Sequence, residues 1–241
     1  ARIHYAYRDA GGGAPNVVQD HAALYYFIRS PKISQALELR ERVNNCAKGA
    51  ALMTGTTVEV IFDEGLSNVI PNFTLERVLE QSFLNIGAPQ YTPQERAYAQ
   101  RFRDTCECDP QDEITPAIRD PQQLIDNMKT SPICDLVLRH NSTEECAMGS
   151  TDVGDVSWVI PTAQINTACY SYGAGGHSWQ WVAQGKSSLA SKGMLLAAEV
   201  MADAVITCFT HPQLIAPAQD EFPERLNGQT YVSLIPKEVS P

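Results

Sequence analysis

Three glycines within four residues, Gly173, Gly175 and Gly176, stand immediately before His177, and Ser178 and Trp179 follow. Such a run belongs to a loop, because glycine loses more freedom on entering a helix or strand than any other residue. Residues 165–172, upstream, read as a strand. Downstream, residues 187–209 put Leu189, Leu195, Leu196, Val200, Ala204 and Ile206 on the apolar side of a long helix, which His211 and Pro212 stop. Strand, glycine loop and helix in that order point to part of an α/β domain. A histidine on the loop can aim its imidazole into a cleft and ligate a metal; it can equally cap a helix or stand on the surface. A phosphate cradle fits less well, since no P-loop lysine follows and the spacing is not GxGxxG.

Residues 1–66 show a different pattern. Ile3, Tyr5 and Tyr7 alternate with polar neighbours, as in a half-buried strand, and Gly11 to Gly13 break it. Residues 16–29 resume strand character. Ser30 and Pro31 suit the start of a helix, and Ala36, Leu39, Val43, Cys46 and Ala50 form one stripe along it up to Gly55. Val58, Val60 and Phe62 alternate again. Strand, strand, helix, strand predicts a small antiparallel sheet with a helix on one face, a partial ferredoxin-like unit. A second helix and a further strand would complete it, and they are expected to precede Ala1, where the chain opens directly in strand-like sequence.

Charge supports a boundary near residue 66. Residues 1–66 carry seven basic and seven acidic side chains, so the net charge of −10 belongs wholly to residues 67–241. That acidity argues against nucleic acid and anionic membrane surfaces as partners. No unbroken apolar run reaches the ~20 residues of a membrane span, and no signal-peptide pattern is seen. The seven irregularly spaced cysteines suit reduced, buried thiols in the cytoplasm better than a disulfide framework. Cys106 and Cys108 are the one close pair, and they lack zinc-site spacing. In 67–241, Thr74 caps a helix to about residue 84. Residues 88–146, rich in Pro, Asp, Glu and Gln, read as a surface excursion with short helices near 94–103 and 121–128. Residues 156–160 and 231–235 read as strands.

Two further sets carry polar chemistry. Asp152 and Asp155 lie three apart in the glycine-punctuated segment Gly149 to Trp158, where they can bind a ligand or satisfy turn N–H groups. Asn16 and Arg29 lie thirteen apart in one extended segment. An arginine fork grips a carboxylate, and an asparagine amide can donate beside it; an exposed arginine at a strand end is the plainer alternative. His4, His21, His140 and His211 read as surface or turn residues.

Taken together, Gly11 to Val18 with Ile28-Arg29, Gly149 to Trp158, and Gly175 to Gln180 resemble the di-metal aminoacylase and carboxypeptidase G metallopeptidase family. The resemblance covers nearly the whole chain and lies nearest its aminobenzoyl-glutamate utilisation branch. It implies that residues 1–66 are part of a lid, or dimerisation, domain. Residues 67–241 would then be the C-terminal part of an α/β catalytic domain. It further implies that His177 ligates one of two divalent metal ions, zinc, manganese or cobalt. Asn16, Arg29 and Asp152 would hold an amide substrate bearing a carboxylate. A metal-activated water would attack, with a glutamate as general base.

The family's other metal ligands and its paired glutamates lie ahead of the lid. On this reading the chain carries no catalytic base of its own, is inactive alone, and needs an N-terminal half, separate or removed. A homodimer through the lid is implied as well. The competing reading is a non-enzymatic dimerisation and ligand-binding module, or a degenerate remnant.

Overall fold

The structure is a computed structural model that describes residues 1–107, 109–147 and 149–236. In chain order its elements are β1 (Arg2–Asp9), β2 (Ala23–Arg29), α1 (Ile33–Thr54), α2 (Phe73–Ile86), α3 (Pro93–Arg103), α4 (Pro121–Thr130), α5 (Val153–Ser157), α6 (Trp179–Gln184), α7 (Ser188–Thr210) and α8 (Ile215–Leu226), with 3₁₀ turns at Pro110–Glu113 and Pro212–Leu214. The fold is mixed α/β, with far more helix than strand. Packing divides it into two compact units. The first holds the described residues of Ala1–Val69, Met148–Val159 and Thr230–Pro241; the second holds those of Ile70–Ala147 and Ile160–Gln229.

In the first unit β1 and β2 form an antiparallel hairpin, in register from Arg2↔Arg29 to Asp9↔Ala23, with an irregularity between Tyr7 and Asp9. The second strand is shorter than the 16–29 stretch predicted, because residues 10–22 form turns and irregular loop. The third strand expected at 58–62 does not form. Its alternation is real, but an extended segment becomes a strand only when its N–H and C=O groups find a ladder, and Val58 and Val60 remain substantially exposed.

Helix α1 packs against β2. It begins at Ile33, three residues after the serine expected to cap it. Ser30 Oγ instead donates to Gln35 Oε1 at 2.9 Å, and the Ile33 N–H is accepted by Asn68 Oδ1 at 3.1 Å. Gly55, at φ +69°, ends the helix in the left-handed conformation that closes helix C-termini. Of the predicted stripe, Ala36, Leu39 and Val43 are half-buried while Cys46 and Ala50 are exposed. A helix of 22 residues is about 33 Å long, more than a two-stranded sheet can cover.

Residues 149–159 pack within this first unit rather than with the bulk of 67–241. They contain helix α5, not the strand expected at 156–160. Gly154 fixes their seat, since a Cβ there would lie 2.0 Å from the Ser67 carbonyl oxygen. Trp158 Nε1 donates to the Asn68 carbonyl at 2.8 Å.

The second unit is helical. Helix α3 opens with Pro93 and a capping box between Thr92 and Glu95. Asp120 and Ser187 accept from the first turns of α4 and α7. Helix α2 is capped by Asn72, two residues ahead of the predicted cap, Thr74. The stretch read as a surface excursion supplies much of the core: Tyr91, Ala99 and Ile133 pack with Leu189, and Leu124 and Met128 with Tyr172. Its polar composition hid a few apolar residues, Ala99 in α3, Leu124 and Met128 one turn apart in α4, and Tyr91 and Ile133 in the connecting segments.

Residues 165–169 carry no regular secondary structure, with a bend at Tyr170 and a turn from Tyr172, so the expected strand joins no ladder among the described residues, and residues 231–235 form no strand. Helix α8 was hidden by its prolines, Pro217 in the first turn and Pro223 inside. Tertiary bonds hold it: Asn72 Nδ2 donates to the Ala218 carbonyl at 2.9 Å, and Glu221 accepts from the Phe73 and Thr74 N–H groups that open α2.

The cysteine expectation changes in detail. Cys46 and Cys146 are exposed, the described cysteines are free thiols, and Cys108 lies outside the described residues. The membrane expectation also changes. Helix α7 is long and apolar enough to cross a bilayer by length and composition, with a mean hydropathy of 1.6 over its most apolar 18-residue stretch. Glu199 and Asp203 interrupt its sequence, so no unbroken apolar run marks it.

Candidate functional site

The glycine loop of the second unit stands on a braced base. Ser171 is fully buried; its N–H donates to Gln184 Oε1 at 2.9 Å and its hydroxyl accepts from Gln184 Nε2 at 3.3 Å. Tyr172 donates its hydroxyl to Asn127 Oδ1 at 2.7 Å, and burial pushes its pKa well above the usual phenol value. The Gly173 N–H donates to the Glu113 carboxylate at 2.9 Å. Ala174 is buried, and its carbonyl accepts from Trp181 Nε1 at 2.5 Å. The indole of Trp181 in turn stacks against Tyr170, with ring centroids 4.4 Å apart. From this base Gly175, Gly176 and His177 rise into solvent.

His177 has φ +61°, one of two described non-glycine residues with positive φ. Left-handed backbone costs an ordinary residue about 1–2 kcal/mol, and such strain persists where surrounding structure enforces it, most often at functional sites. Helix α6 begins directly after this crest, with Ser178 as its cap.

The first unit holds the other three predicted residues. Arg29 ends β2, and its Nη2 donates to Ser150 Oγ at 2.6 Å. The fold thus brings together the two segments singled out around Arg29 and Asp152. The two aspartates of that segment part company. Asp155 is structural, accepting from the Ser67 hydroxyl at 2.7 Å and from its N–H at 3.3 Å. Asp152 occupies the cap position of α5 without capping it and is exposed, with Thr151 Oγ1 at 3.4 Å from Oδ1.

Asn16 is placed elsewhere. It sits in a loop whose Gly11 and Gln19 come together, a Cβ at Gly11 lying 2.3 Å from Gln19 Oε1. That loop leaves from the Ala23 end of β2, and Arg29 is at the opposite end, about 20 Å along the strand. Asn16 is thus not on β2 but in the loop that joins the strand at the end opposite Arg29.

Among the described residues, no three of His, Cys, Asp and Glu come together as a metal-binding group. These residues do not fit a pair of metal ions by themselves. An ion on His177 would need its remaining ligands from outside them. Cys106 is occupied at a helix end, its thiol directed to the Phe102 carbonyl at 3.3 Å.

One polar contact escaped the sequence reading. His140, expected as a plain surface residue, is half-buried against Glu76, Nε2 to Oε2 at 2.9 Å. Glu80 accepts from the His140 N–H and from Arg139 Nε. The partners are about sixty residues apart, beyond any local signal. The second unit also has shallow cavities of about 350 and 390 Å³, lined by Phe73, Glu221 and Arg225, and by Glu95, Tyr98 and Lys186; His177 lines neither.

Over 256 aligned residues the chain is 37% identical to a p-aminobenzoyl-glutamate hydrolase subunit of Escherichia coli K12, an alignment that takes in the whole chain and 51% of that protein. The chain is also 35% identical over 75 residues to the mouse Xaa-Arg dipeptidase, covering 31% of the chain and 17% of that protein. The human Xaa-Arg dipeptidase is 22% identical over 235 residues, 97% of the chain and 43% of that protein. The chain therefore spans about half the length, or less, of the curated relatives it matches. No family model matches it. The resemblance drawn from the three motifs is thus met by similarity along the full chain.

Proposed function

We propose that the chain is the C-terminal portion of a metal-dependent amidohydrolase. The substrate would be an N-acyl or aminobenzoyl amino acid, such as aminobenzoyl-glutamate, or a dipeptide. The observation that carries this reading is the whole-length similarity to a hydrolase subunit, and the strained, solvent-facing His177 on its braced loop supports it. Two divalent ions, zinc or manganese, would supply Lewis acidity and an activated water when bound. His177 would contribute an imidazole ligand, and the chain would supply no catalytic base.

Arg29, one of whose five donors engages Ser150, would fork onto the substrate carboxylate, with Asp152 a polar neighbour in the same segment. Asn16, in the loop at the other end of the hairpin, would reach the same substrate from a second copy of the chain. A homodimer through the hairpin fits this. Both sheet edges lack a ladder partner among the described residues, and Tyr5 and Tyr7 are about two-thirds exposed. The free thiols fit a cytoplasmic protein.

The test is reconstitution. The chain is combined with the complementary half of the E. coli relative, and aminobenzoyl-glutamate, N-acyl amino acids and dipeptides are assayed with manganese or zinc. Hydrolysis that disappears in His177→Ala supports the assignment, and full activity in that variant overturns it.

A further inference from the structure

Helix α7 is apolar nearly all round, yet only one side is covered. Leu189, Gly193, Leu196, Val200 and Ala204 are buried. Gly193 is pressed so close to Ala168 that a Cβ would lie 2.4 Å from its carbonyl oxygen. Met194, Leu195, Ala198, Met201, Ala202, Val205, Ile206 and Phe209 lie on the opposite side and are exposed. At 100° per residue those eight span a sector roughly 140° wide without a charge in it. Lys192, Glu199 and Asp203 form a narrow polar stripe on one flank. Only 22% of the helix's most apolar stretch is buried. A soluble protein rarely leaves an apolar surface of that extent uncovered.

Two occupants fit poorly. A bilayer would take in Glu199 and Asp203 along with the apolar sector, and carboxylates at membrane depth are costly. Lys192 is pinned to Glu95 Oε2 and to the Gln90 carbonyl, each at 2.7 Å, which ties α7 into its own unit. A second copy would match this face to itself, whereas the exposed hairpin already offers a surface for that.

The length of the relatives points to the third occupant. The chain spans 51% of the E. coli subunit, so a comparable length of polypeptide in that protein has no counterpart here. We propose that the outer face of α7, from Met194 to Phe209, is the docking surface for the polypeptide that corresponds to that other half. The polypeptide presents an apolar face to the sector. This inference rests on the amidohydrolase reading, in which a complementary half exists.

The experiment co-expresses the chain with a tagged polypeptide comprising the half of the E. coli subunit that the chain does not match, and follows co-purification and sedimentation. The wild-type chain is expected to form a 1:1 complex. Met201→Glu and Val205→Glu, both solvent-facing here, should weaken the complex at least tenfold while leaving the circular dichroism and melting of the free chain unchanged. Leu195→Ala, a milder change, should weaken it less, and Val60→Glu, on the first unit, should not. Failure of the wild-type chain to bind overturns the proposal, as does binding unaffected by Met201→Glu. Self-association of the free chain abolished by Met201→Glu would assign the face to a second copy. Flotation with phosphatidylcholine vesicles that depends on the same residues would assign it to a membrane. A complex that forms through α7 but hydrolyses nothing keeps this interface and removes the enzymatic reading. Hydrolysis that survives Met201→Glu does the reverse.

Discussion

Arg29 and Ser150, 121 residues apart in the chain, meet at 2.6 Å between Nη2 and Oγ. The contact ties the end of a hairpin strand to the segment that carries Asp152. It engages one of the guanidinium's five donors and leaves the others outside that contact.

In the reconstituted hydrolase, Arg29→Ala is expected to raise KM for substrates with a free carboxylate by roughly tenfold to a hundredfold, the span of a charge-assisted hydrogen bond. Arg29→Lys should recover only part of the loss, since an ammonium lacks the fork. Ser150→Ala should give a smaller increase in KM with little change in kcat. Steady-state kinetics on a substrate and its carboxamide analogue check the assignment. Equal losses on both would remove Arg29 from carboxylate binding.

Replacing His177 separates strain from function. His177→Gly removes the left-handed penalty and should stabilise the second unit by up to about 1 kcal/mol relative to His177→Ala, which keeps it. Both variants should lose hydrolysis after reconstitution. Urea denaturation of the two side by side is the measurement, and an alanine variant as stable as the glycine one would contradict the strained geometry.

Gln184→Leu should be costly for its size. It leaves the buried Ser171 N–H without its 2.9 Å acceptor, a loss of about 1–3 kcal/mol. The expected readout is an earlier urea midpoint together with faster amide exchange in residues 171–177, because the loop loses its base.

The Glu95 carboxyl is held down at about 2, chiefly by its hydrogen bond from the Lys192 ammonium and also by Ser188 and Thr92. A depressed carboxylate adds stability that is fully present above its ordinary value of 4.5 and is lost as pH falls toward 2. Melting temperature should therefore drop between those limits in the wild-type chain, and Lys192→Met should flatten part of that drop. An identical acid profile in the variant would exclude this pair as a source.

Gly154→Ala should destabilise the first unit, because its Cβ would collide with the Ser67 carbonyl, a backbone atom that cannot swing aside. Overpacking of this kind costs about 1–3 kcal/mol. Thermal melts of Gly154→Ala beside the exposed control Gly149→Ala check it.

The sequence by itself determined the features that are local. Helices α2, α3, α4 and α7 were legible because capping residues, prolines at first turns and a 3.6-residue apolar period act within one or two turns of chain. The hairpin strand β1 showed in its alternation, and the loop around His177 in its glycines. Three separated motifs were enough to identify the hydrolase resemblance.

Tertiary structure decided what depends on distant partners. Val58, Val60 and Phe62 alternate like a strand but find no ladder, so none forms. Pro217 and Pro223 argue against a helix, yet Asn72 and Glu221 hold α8 in place. Asp152 and Asp155 look equivalent in sequence, and only the approach of Ser67 makes one of them structural. Asn16 and Arg29 read as one extended segment, yet the strand begins only at Ala23 and leaves Asn16 in the loop before it. Local propensity is written in a few consecutive residues, whereas pairing, burial and close approach are settled by whatever the folded chain brings alongside.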